Sequence, residues 1–487
     1  MTITHGLRIA AILMLVLGSA SEQAHAQDLN VPMTGHRAHP IAAETLFHTL
    51  FSDFFSERDG TTYVQTGDIP AMWLRDSSAQ TTPYIRFVTS YPVLSERFLG
   101  VIERDARNIA VDPYANAFRS DYRVWEEKWE PDSLAWPILL AWVYHERTLS
   151  KALFSGAFHR ALRIAVDTWR CEQLHPQCSR YRPPYRTRSS EPINARTGMI
   201  WSAFRPSDDA VLYHFNIPQE MIVAIALRDV AALALAGYRD TNLANEASSI
   251  SAQIQTGILT YGRVWRRDLG GWVYLYETDG LGGQLFADDA NLPSLVSMPY
   301  IGWSSAIDPA YLNTRSFALS HANPWYYSGT YAAGLGSEHT PVGFVWPLGI
   351  IARALTATSS LETAAAVTTL AETDSRDGLI HESFDANAYW VFTRAEFGWA
   401  NALYAEIVFR SLAGFNAMPF TPNNAPMEPF EQLSTTPRLA TPLLQIYNGG
   451  LIFGALDQLL SEADGRTIIP RTRAIMSRTS GSGPRTL

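Results

Sequence analysis

The sequence predicts an all-α fold, an (α/α)6 barrel in which six helical hairpins close into a double ring with long loops. Between residues 42 and 412, apolar residues recur at helical spacing in about a dozen segments. Strand signals are few, and no alternation of strands and helices suggests a parallel sheet. No Pro/Gly-rich linker divides this body. Periodicity alone does not select the ring, but it predicts that the connecting loops carry the functional site.

The predicted helical segments follow one another along the whole body. In chain order they are 42–56, 77–87, 93–109, 133–148, 154–171, 219–236, 243–260, 292–299, 309–319, 344–356, 361–373 and 396–411. The loops between them are rich in Gly, Pro, Asp and Trp. One stretch, 264–276, alternates around Gly270-Gly271 and is predicted to be a β-hairpin.

The two ends of the chain differ from this body. Residues 1–26 combine Arg8, an apolar run and Ala24-His25-Ala26, a pattern typical of a cleaved signal peptide. We therefore expect export to the periplasm or beyond, and no membrane attachment after cleavage, since no other segment has 18 uninterrupted apolar residues. The catalytic domain is predicted at 27–415, followed by a partly disordered extension at 416–487.

Composition excludes several classes of function. With 38 basic and 47 acidic residues the net charge of −9 provides no attraction for nucleic acid. Lys128 and Lys151 are the only lysines, which disfavours Schiff-base, pyridoxal and P-loop chemistry. The 14 Trp, 21 Tyr and 22 Phe residues exceed the usual needs of a core and suggest an aromatic groove. Cys171 and Cys178, spaced C-x6-C, are predicted to form one local disulfide in an exported protein.

Six loop motifs combine acids with aromatic residues. They are TGDIPAMWLRDSSAQ (66–80), WEEKWEPDS (125–133), MIWSAFRPSDDA (199–210), FADDANLPS (286–294), the pair LSHANPWYYSG (319–329) and GSEHTP (336–341), and GLIHESF (378–384). Trp beside Arg and Asp can stack on a sugar ring while the charged groups bind its hydroxyls. Adjacent acids can raise one another's pKa, so that one of them acts as a proton donor near neutral pH.

Each motif also has a structural alternative. In the first, Asp76 or Ser77 could cap a helix while Arg75 pairs with Asp68. The acids of the second, third and fourth motifs could cap helices or lie in solvated loops. Glu382 could be a surface residue paired with Arg376 or Arg394, or it could activate a water molecule. Scattered His residues and the absence of H-E-x-x-H leave a metal site unsupported, and no G-x-S-x-G occurs.

Five strings in this order, TGDIPAMWLRDSSAQ, TGMIWSAFRPSDDA, DDANLPSL, ANPWYYSGTYAAGLGSEHTP and HESFD, resemble glycoside hydrolase family 125, the exo-α-1,6-mannosidases. The resemblance spans roughly residues 42–409. It implies an (α/α)6 barrel, release of non-reducing terminal α-1,6-linked mannose from mannans or N-glycan-derived oligosaccharides with inversion, and no metal or cofactor. It places the general acid at Asp209, with Asp208 as the alternative, and the general base at Glu382.

Further residues are predicted to bind the sugar because they fall in the same loops. These are Asp68, Trp73, Arg75, Asp76, Glu130, Asp132, Arg205, Asp208, Asp288, Asn291, Asn323, Trp325, Tyr326 and His339. Two other readings stay open: another (α/α)6 glycosidase or a polysaccharide lyase, and a glycan-binding protein without activity. The expected partner is an oligosaccharide, acted on by a monomeric protein. The resemblance does not cover the region of Cys171 and Cys178 or the chain beyond Gly414.

Overall fold

The fold is known from a computed structural model that describes residues 37–183 and 193–412. The predicted signal peptide and the predicted C-terminal extension lie outside these residues, so both stay predictions. The described part contains twelve α-helices: α1 Ala38–Ser52, α2 Leu74–Thr81, α3 Pro92–Val111, α4 Pro131–Thr148, α5 Gly156–Glu172, α6 His175–Cys178, α7 Ile217–Leu233, α8 Thr241–Tyr261, α9 Pro309–Ala318, α10 Pro347–Leu355, α11 Ser360–Glu372 and α12 Gly398–Leu412.

Short antiparallel strands lie in the loops between the helices. They are β1 Phe54–Ser56, β2 Thr62–Val64, β3 Met72–Trp73, β4 Ala117–Phe118, β5 Val124–Glu126, β6 Phe215–Asn216, β7 Arg263–Arg266, β8 Gly271–Tyr274, β9 Glu277–Thr278, β10 Gln284–Leu285, β11 Tyr326–Ser328, β12 Ala333–Leu335, β13 Phe344–Val345, β14 Ser383–Asp385 and β15 Ala388–Thr393. Three of the small sheets have the orders β3-β4-β5, β10-β9-β6 and β13-β14-β15.

The helices form a closed ring of outer and inner layers, as predicted. The inner helices pack in the sequence α4 on α2, α7 on α4, α12 on α10 and α2 on α12. The outer helices α1, α3, α5, α8 and α11 each pack on a following inner helix or on an outer neighbour. Because α12 contacts both α1 and α2, the last hairpin closes the ring on the first.

Burial explains the difference in sequence between the two layers. The inner helix α7 is buried on almost every face, so its sequence is apolar all round. It is also the one described segment, as Ile217–Tyr238, long and apolar enough to cross a membrane, but 61% of the apolar window is buried inside the protein. The outer helix α5 instead buries one stripe, which includes Phe158, Leu162 and Trp169.

One predicted helix is wrong, and it lies at the fourth of the six inner positions in chain order. Residues 292–303 form buried turns rather than a helix. The Ser297 hydroxyl accepts the N–H of Ser294 at 2.8 Å, and the Ser294 hydroxyl accepts the N–H of Ser297 at 3.1 Å. Asp288 accepts the N–H groups of Leu295 and Val296 at 2.8 and 3.0 Å. Side chains thus replace the i→i+4 bonds that a helix would need.

The other departures concern element ends. Helix α1 ends at Ser52, because Phe54 starts a strand. The ring of Phe54 packs against Tyr84 and Phe98. Pro83 tightens the end of the predicted 77–87 helix into a 3₁₀ turn over Thr82–Phe87. The predicted hairpin at 264–276 is present as β7 and β8, with Trp265 opposite Trp272.

Candidate active site

Residues at the starts of three inner helices line a pocket of about 250 Å³. Trp73 and Trp346 precede α2 and α10, and Trp399 is the second residue of α12. The pocket volume lies slightly below the roughly 300–1,000 Å³ of sites for drug-sized ligands and suits a single sugar ring. The lining residues are Ile69, Trp73, Arg75, Asp76, Glu126, Lys128, Ser207, Asp208, Asn291, His339, Trp346, Glu382, Arg394, Phe397 and Trp399.

The base of the pocket is a buried arginine surrounded by carboxylates. Arg75, 3% exposed, donates to Glu130 Oε2 at 2.6 Å and to Asp208 Oδ1 at 3.1 Å. Its Nε lies 3.3 Å from Asp76, and Asp132 is 3.8 Å from Nη1. The sequence alternative that Arg75 pairs with Asp68 is therefore wrong. One guanidinium faces four acids, so the site has an excess of acceptors for sugar hydroxyls.

The four acids respond differently to this arrangement. Burial raises the pKa of Asp76 and of Asp132 to about 6, although Arg75 opposes the change. Burial also raises the pKa of Glu130 well above its usual range, helped by the charge of Asp208. Burial would raise the pKa of Asp208 too, but Arg75, Glu130 and Lys128 outweigh it and hold that pKa below its usual range. Asp208 is thus ionised and accepts hydrogen bonds.

Asp208 and its neighbour Asp209 point to different surroundings. Asp208 has a left-handed backbone, with φ of 67°, and its side chain faces the pocket beside Asn116 Nδ2 at 3.2 Å. Asp209 accepts from the Ser207 hydroxyl at 3.1 Å, and its Oδ1 lies 3.5 Å from Nδ1 of His339. The hydrogen bond to Asp209 raises the pKa of His339 to about 9. Asp209 therefore lies next to the pocket-lining His339, and Asp208 lies within the pocket.

Glu382, the predicted base, lines the pocket at the start of β14 and is 8% exposed. Burial raises its pKa, while Arg394 and His339 oppose the rise. Arg394 Nη1 is 3.8 Å from Glu382 Oε1, and the same guanidinium donates from Nε to Asp68 at 2.7 Å. Glu382 thus does pair with Arg394, as one alternative held, but inside the pocket and not at the surface.

Several predicted sugar-binding residues lie outside the pocket lining. Glu130 and Asp132 are fully buried beneath Arg75, and Asp132 accepts from Gln219 at 2.9 Å. Arg205 pairs with Glu277 at 2.6 Å and Glu338 at 2.7 Å. Sugar contacts by these residues stay predictions.

Four others also lie outside the pocket lining and take part in contacts within the protein. The loops of Asp288 and Asn323 are joined by two hydrogen bonds. The Asp288 N–H donates to Asn323 Oδ1 at 3.2 Å, and Asn323 Nδ2 donates to the Asp288 carbonyl at 3.0 Å. The guanidinium carbon of Arg205 lies over the Trp325 ring, 4.9 Å from the ring centroid. Tyr326 is the first residue of β11. Their contacts with sugar also stay predictions.

Sequence reasoning missed part of the pocket wall. Glu126 and Lys128 belong to a motif that was recognised, and they pair with each other at 2.9 Å. Ile69 and Ser207 also stand inside recognised motifs. Trp346, Phe397 and Trp399 carried no signal beyond their position just before or within a predicted inner helix. The missed lining residues are Ile69, Glu126, Lys128, Ser207, Trp346, Arg394, Phe397 and Trp399.

The structure places Cys171 and Cys178 in a disulfide, with Cα atoms 5.3 Å apart. The bridge closes the turn that holds Glu172 and His175, whose side chains are 2.6 Å apart. Just beyond it, the Tyr181 hydroxyl accepts the N–H of Trp129 and donates to the carbonyl of Glu127, each at 3.2 Å. The disulfide therefore supports the loop that carries Lys128.

A helical double ring with an acid-lined pocket at the inner helix starts defines a glycoside hydrolase of the six-hairpin type. Residues 37–409 match the family described as metal-independent alpha-mannosidase (GH125), and the chain belongs to that family. Within the described residues no group of three His, Cys, Asp or Glu side chains is placed to hold a metal ion.

Individual relatives agree with this assignment. The chain is 34% identical over 390 residues to the meiotically up-regulated gene 157 protein of Schizosaccharomyces pombe, covering 71% of this chain and 76% of that protein. It is 32% identical, with a TM-score of 0.75, to a Streptococcus pneumoniae member of a family of metal-independent alpha mannosidases, covering 81% of this chain and 99% of that one. That protein was solved in a non-productive complex with alpha-1,6-mannobiose.

A more distant likeness concerns the fold alone. A bacterial glucoamylase in complex with acarbose has a TM-score of 0.53 at 13% identity, covering 80% of this chain and 58% of that one. The shared architecture is the six-hairpin ring that the sequence predicted.

Proposed function

We propose that the protein is an exo-acting α-mannosidase that releases non-reducing terminal α-1,6-linked mannose with inversion of configuration. The observation that carries this proposal is a pocket of one-sugar size with Asp208 and Glu382 in its wall and Asp209 beside its His339. The pneumococcal relative described with alpha-1,6-mannobiose supports the linkage. Mannans and N-glycan-derived oligosaccharides are the substrate class proposed.

The residues suggest a direct-displacement mechanism. Asp209, as the general acid, gives a proton to the glycosidic oxygen as the bond to C1 breaks. Glu382, ionised, takes a proton from the water that attacks C1 from the opposite face, through an oxocarbenium-like transition state. The products are β-mannose and the shortened glycan. The water, its proton and the leaving-group proton are all accounted for by these two carboxyl groups.

The remaining charged residues would bind and orient the sugar. Asp208 is held ionised by Arg75, so it accepts hydroxyl hydrogens without competing for the catalytic proton. Trp73 and Trp399 supply apolar walls for the C–H faces of the ring. Because these contacts all act on a single sugar ring, the pocket favours the terminal mannose of the substrate.

Export and oligomeric state belong to the same proposal. Residues 1–26 support export through a signal peptide, to the periplasm or the medium, with no membrane anchor after cleavage. We propose that the mature protein acts as a monomer. Mass spectrometry of the exported protein would check both statements. The mass of the denatured chain gives the cleavage point, and the mass under native conditions gives the oligomeric state.

The decisive experiment is incubation of the purified protein with α-1,6-mannobiose and a chelator, followed by NMR of the anomeric protons from the first minutes. Early β-mannose is expected. Early α-mannose would refute the inverting mechanism. No release, with α-1,2- and α-1,3-mannobiose also uncleaved, would favour a binding protein, and an unsaturated product absorbing in the ultraviolet would indicate a lyase.

A further inference from the structure

Three aromatic side chains cluster at the tips of two hairpins that rise from the pocket wall. Tyr331, Tyr389 and Trp390 have ring centroids 5.0, 5.3 and 5.9 Å apart, and the planes of each pair are 73–79° apart. Trp390 is 58% exposed and Tyr331 is 44% exposed. We refer to these three residues as the tip cluster. None of them lines the pocket, and the proposed mechanism does not use them.

The tip cluster is continuous with the pocket through the backbone. The hairpin of β14 and β15 begins just after Glu382 and ends just before Arg394, and both of these residues line the pocket. Trp390 stands three residues before Thr393 on β15, which places it about 10 Å along the strand from the pocket wall. The hairpin of β11 and β12 leads in the same way toward His339.

Contacts between the two tips make the cluster rigid. Tyr331 N–H donates to the carbonyl of Ala386 at 2.9 Å, and Thr330 N–H donates to Asn387 Oδ1 at 3.0 Å. A side chain at Gly329 would come within 2.6 Å of the Ala386 carbonyl, so the close approach requires glycine. The aromatic rings are therefore held in place before any ligand binds, which lowers the entropic cost of binding.

The chemistry of the cluster indicates its ligand. The tip segments 329–333 and 386–391 contain no charged side chain, but they expose Thr330 and Asn387, which can bind hydroxyl groups. Exposed aromatic faces flanked by neutral hydrogen-bonding groups match an uncharged sugar, with its apolar C–H faces and hydroxyl edges. The tip segments themselves offer no positive charge to an anionic partner.

We propose that the tip cluster binds sugar units on the leaving side of the substrate, beyond the unit attached to the scissile bond. This inference rests on the proposed function, since it assumes that the pocket holds the terminal mannose. A disaccharide fills the pocket and its mouth and does not reach the cluster. Longer α-1,6-linked oligomannosides reach it, so the protein prefers them to mannobiose.

The test compares kcat/KM for α-1,6-linked mannotetraose with that for α-1,6-mannobiose. In Trp390→Ala, the ratio of the two values should fall about three- to tenfold, the worth of one aromatic contact. Trp390→Phe keeps a ring and should retain an intermediate ratio. The matched control is Trp265→Ala, because Trp265 is 57% exposed on the separate hairpin of β7 and β8. An unchanged ratio in Trp390→Ala would overturn the proposal.

A binding measurement separates this proposal from the proposed function. Calorimetry should show that Glu382→Gln binds mannotetraose without turnover. Adding Trp390→Ala to this variant should weaken the binding about three- to tenfold, like the ratio of kcat/KM values. Absence of turnover in the wild-type protein would refute the mannosidase and not the cluster. If Trp390→Ala instead dissociates a dimer in sedimentation, or abolishes binding to phosphatidylglycerol vesicles, with the tetraose affinity unchanged, the cluster is an interface and the sugar proposal fails.

Discussion

The guanidinium of Arg75 lies 3.1 Å from the carboxylate of Asp208, although 133 residues separate them in the chain. This contact joins the first turn of α2 to the loop that also carries Asp209. It keeps Asp208 ionised and so distinguishes the two adjacent acids chemically. In the mechanism that we propose, Asp208 accepts hydroxyl hydrogens of the sugar and Asp209 is the general acid.

The two acids can be distinguished by the leaving group. Asp209→Asn should lower kcat on α-1,6-mannobiose at least about a hundredfold, the usual effect of losing a general acid. The loss should be much smaller on a dinitrophenyl α-mannoside, whose leaving group needs no proton. Asp208→Asn should lose comparable activity on both substrates, because in the mechanism that we propose Asp208 binds the sugar and transfers no proton. The opposite pattern would assign the acid to Asp208.

Glu382→Gln should reduce kcat at least about a hundredfold on both substrates, because water activation is needed whatever the leaving group. Circular dichroism and thermal unfolding would verify that the variant is folded. Glu146→Gln is a suitable control, since Glu146 is exposed on α4 and does not line the pocket. Turnover like the wild type in Glu382→Gln would remove Glu382 from the mechanism.

Arg75→Met should destabilise the protein by about 3–5 kcal/mol, because Asp208 would lose its counter-charge and the fully buried Glu130 would lose its hydrogen-bond donor. Chemical denaturation measures the change in the free energy of unfolding. Arg123→Met is the control, because Arg123 is 74% exposed and should change stability by no more than about 0.5 kcal/mol. Equal effects of the two substitutions would contradict the account of the buried network.

The stability of the protein should depend on the proton of His339. The contact with Asp209 raises the pKa of His339 from 6.5 to about 9 in the folded state. Its contribution is therefore complete below pH 6.5 and is lost as the pH rises through about 9. Between these values the free energy of unfolding should fall more steeply for the wild type than for His339→Gln. His321→Gln, at an exposed hairpin, serves as the control. Parallel curves for the wild type and His339→Gln would disprove the linkage.

Removal of the disulfide by Cys171→Ser with Cys178→Ser should lower stability by about 2–3 kcal/mol, the expected effect of opening so short a loop. Reductant should lower the unfolding midpoint of the wild type to that of the double variant, and it should leave the midpoint of the double variant unchanged. Because Tyr181 connects this region to Trp129 and Glu127, we also expect a raised KM. A reductant-insensitive wild type would show that the thiols are not paired in solution.

The sequence by itself determined the ring and the identity of the loops that line its mouth. Helical periodicity reflects contacts within a few residues, so eleven of the twelve predicted segments contain helical structure, and the loop strings mark the family. The segment 292–299 escaped this reasoning, since serine side chains and Asp288 satisfy its backbone groups.

Only the tertiary structure decided which acids share a pocket. Asp208 and Asp288 stand in similar paired motifs, yet Asp208 faces the pocket and Asp288 holds a buried loop. Lys128 also lines the pocket, although only the acids and tryptophans of its motif were expected to act there. Distances between loops far apart in the chain are set by closure of the helical ring. Local sequence cannot encode them, because they depend on how all six hairpins pack.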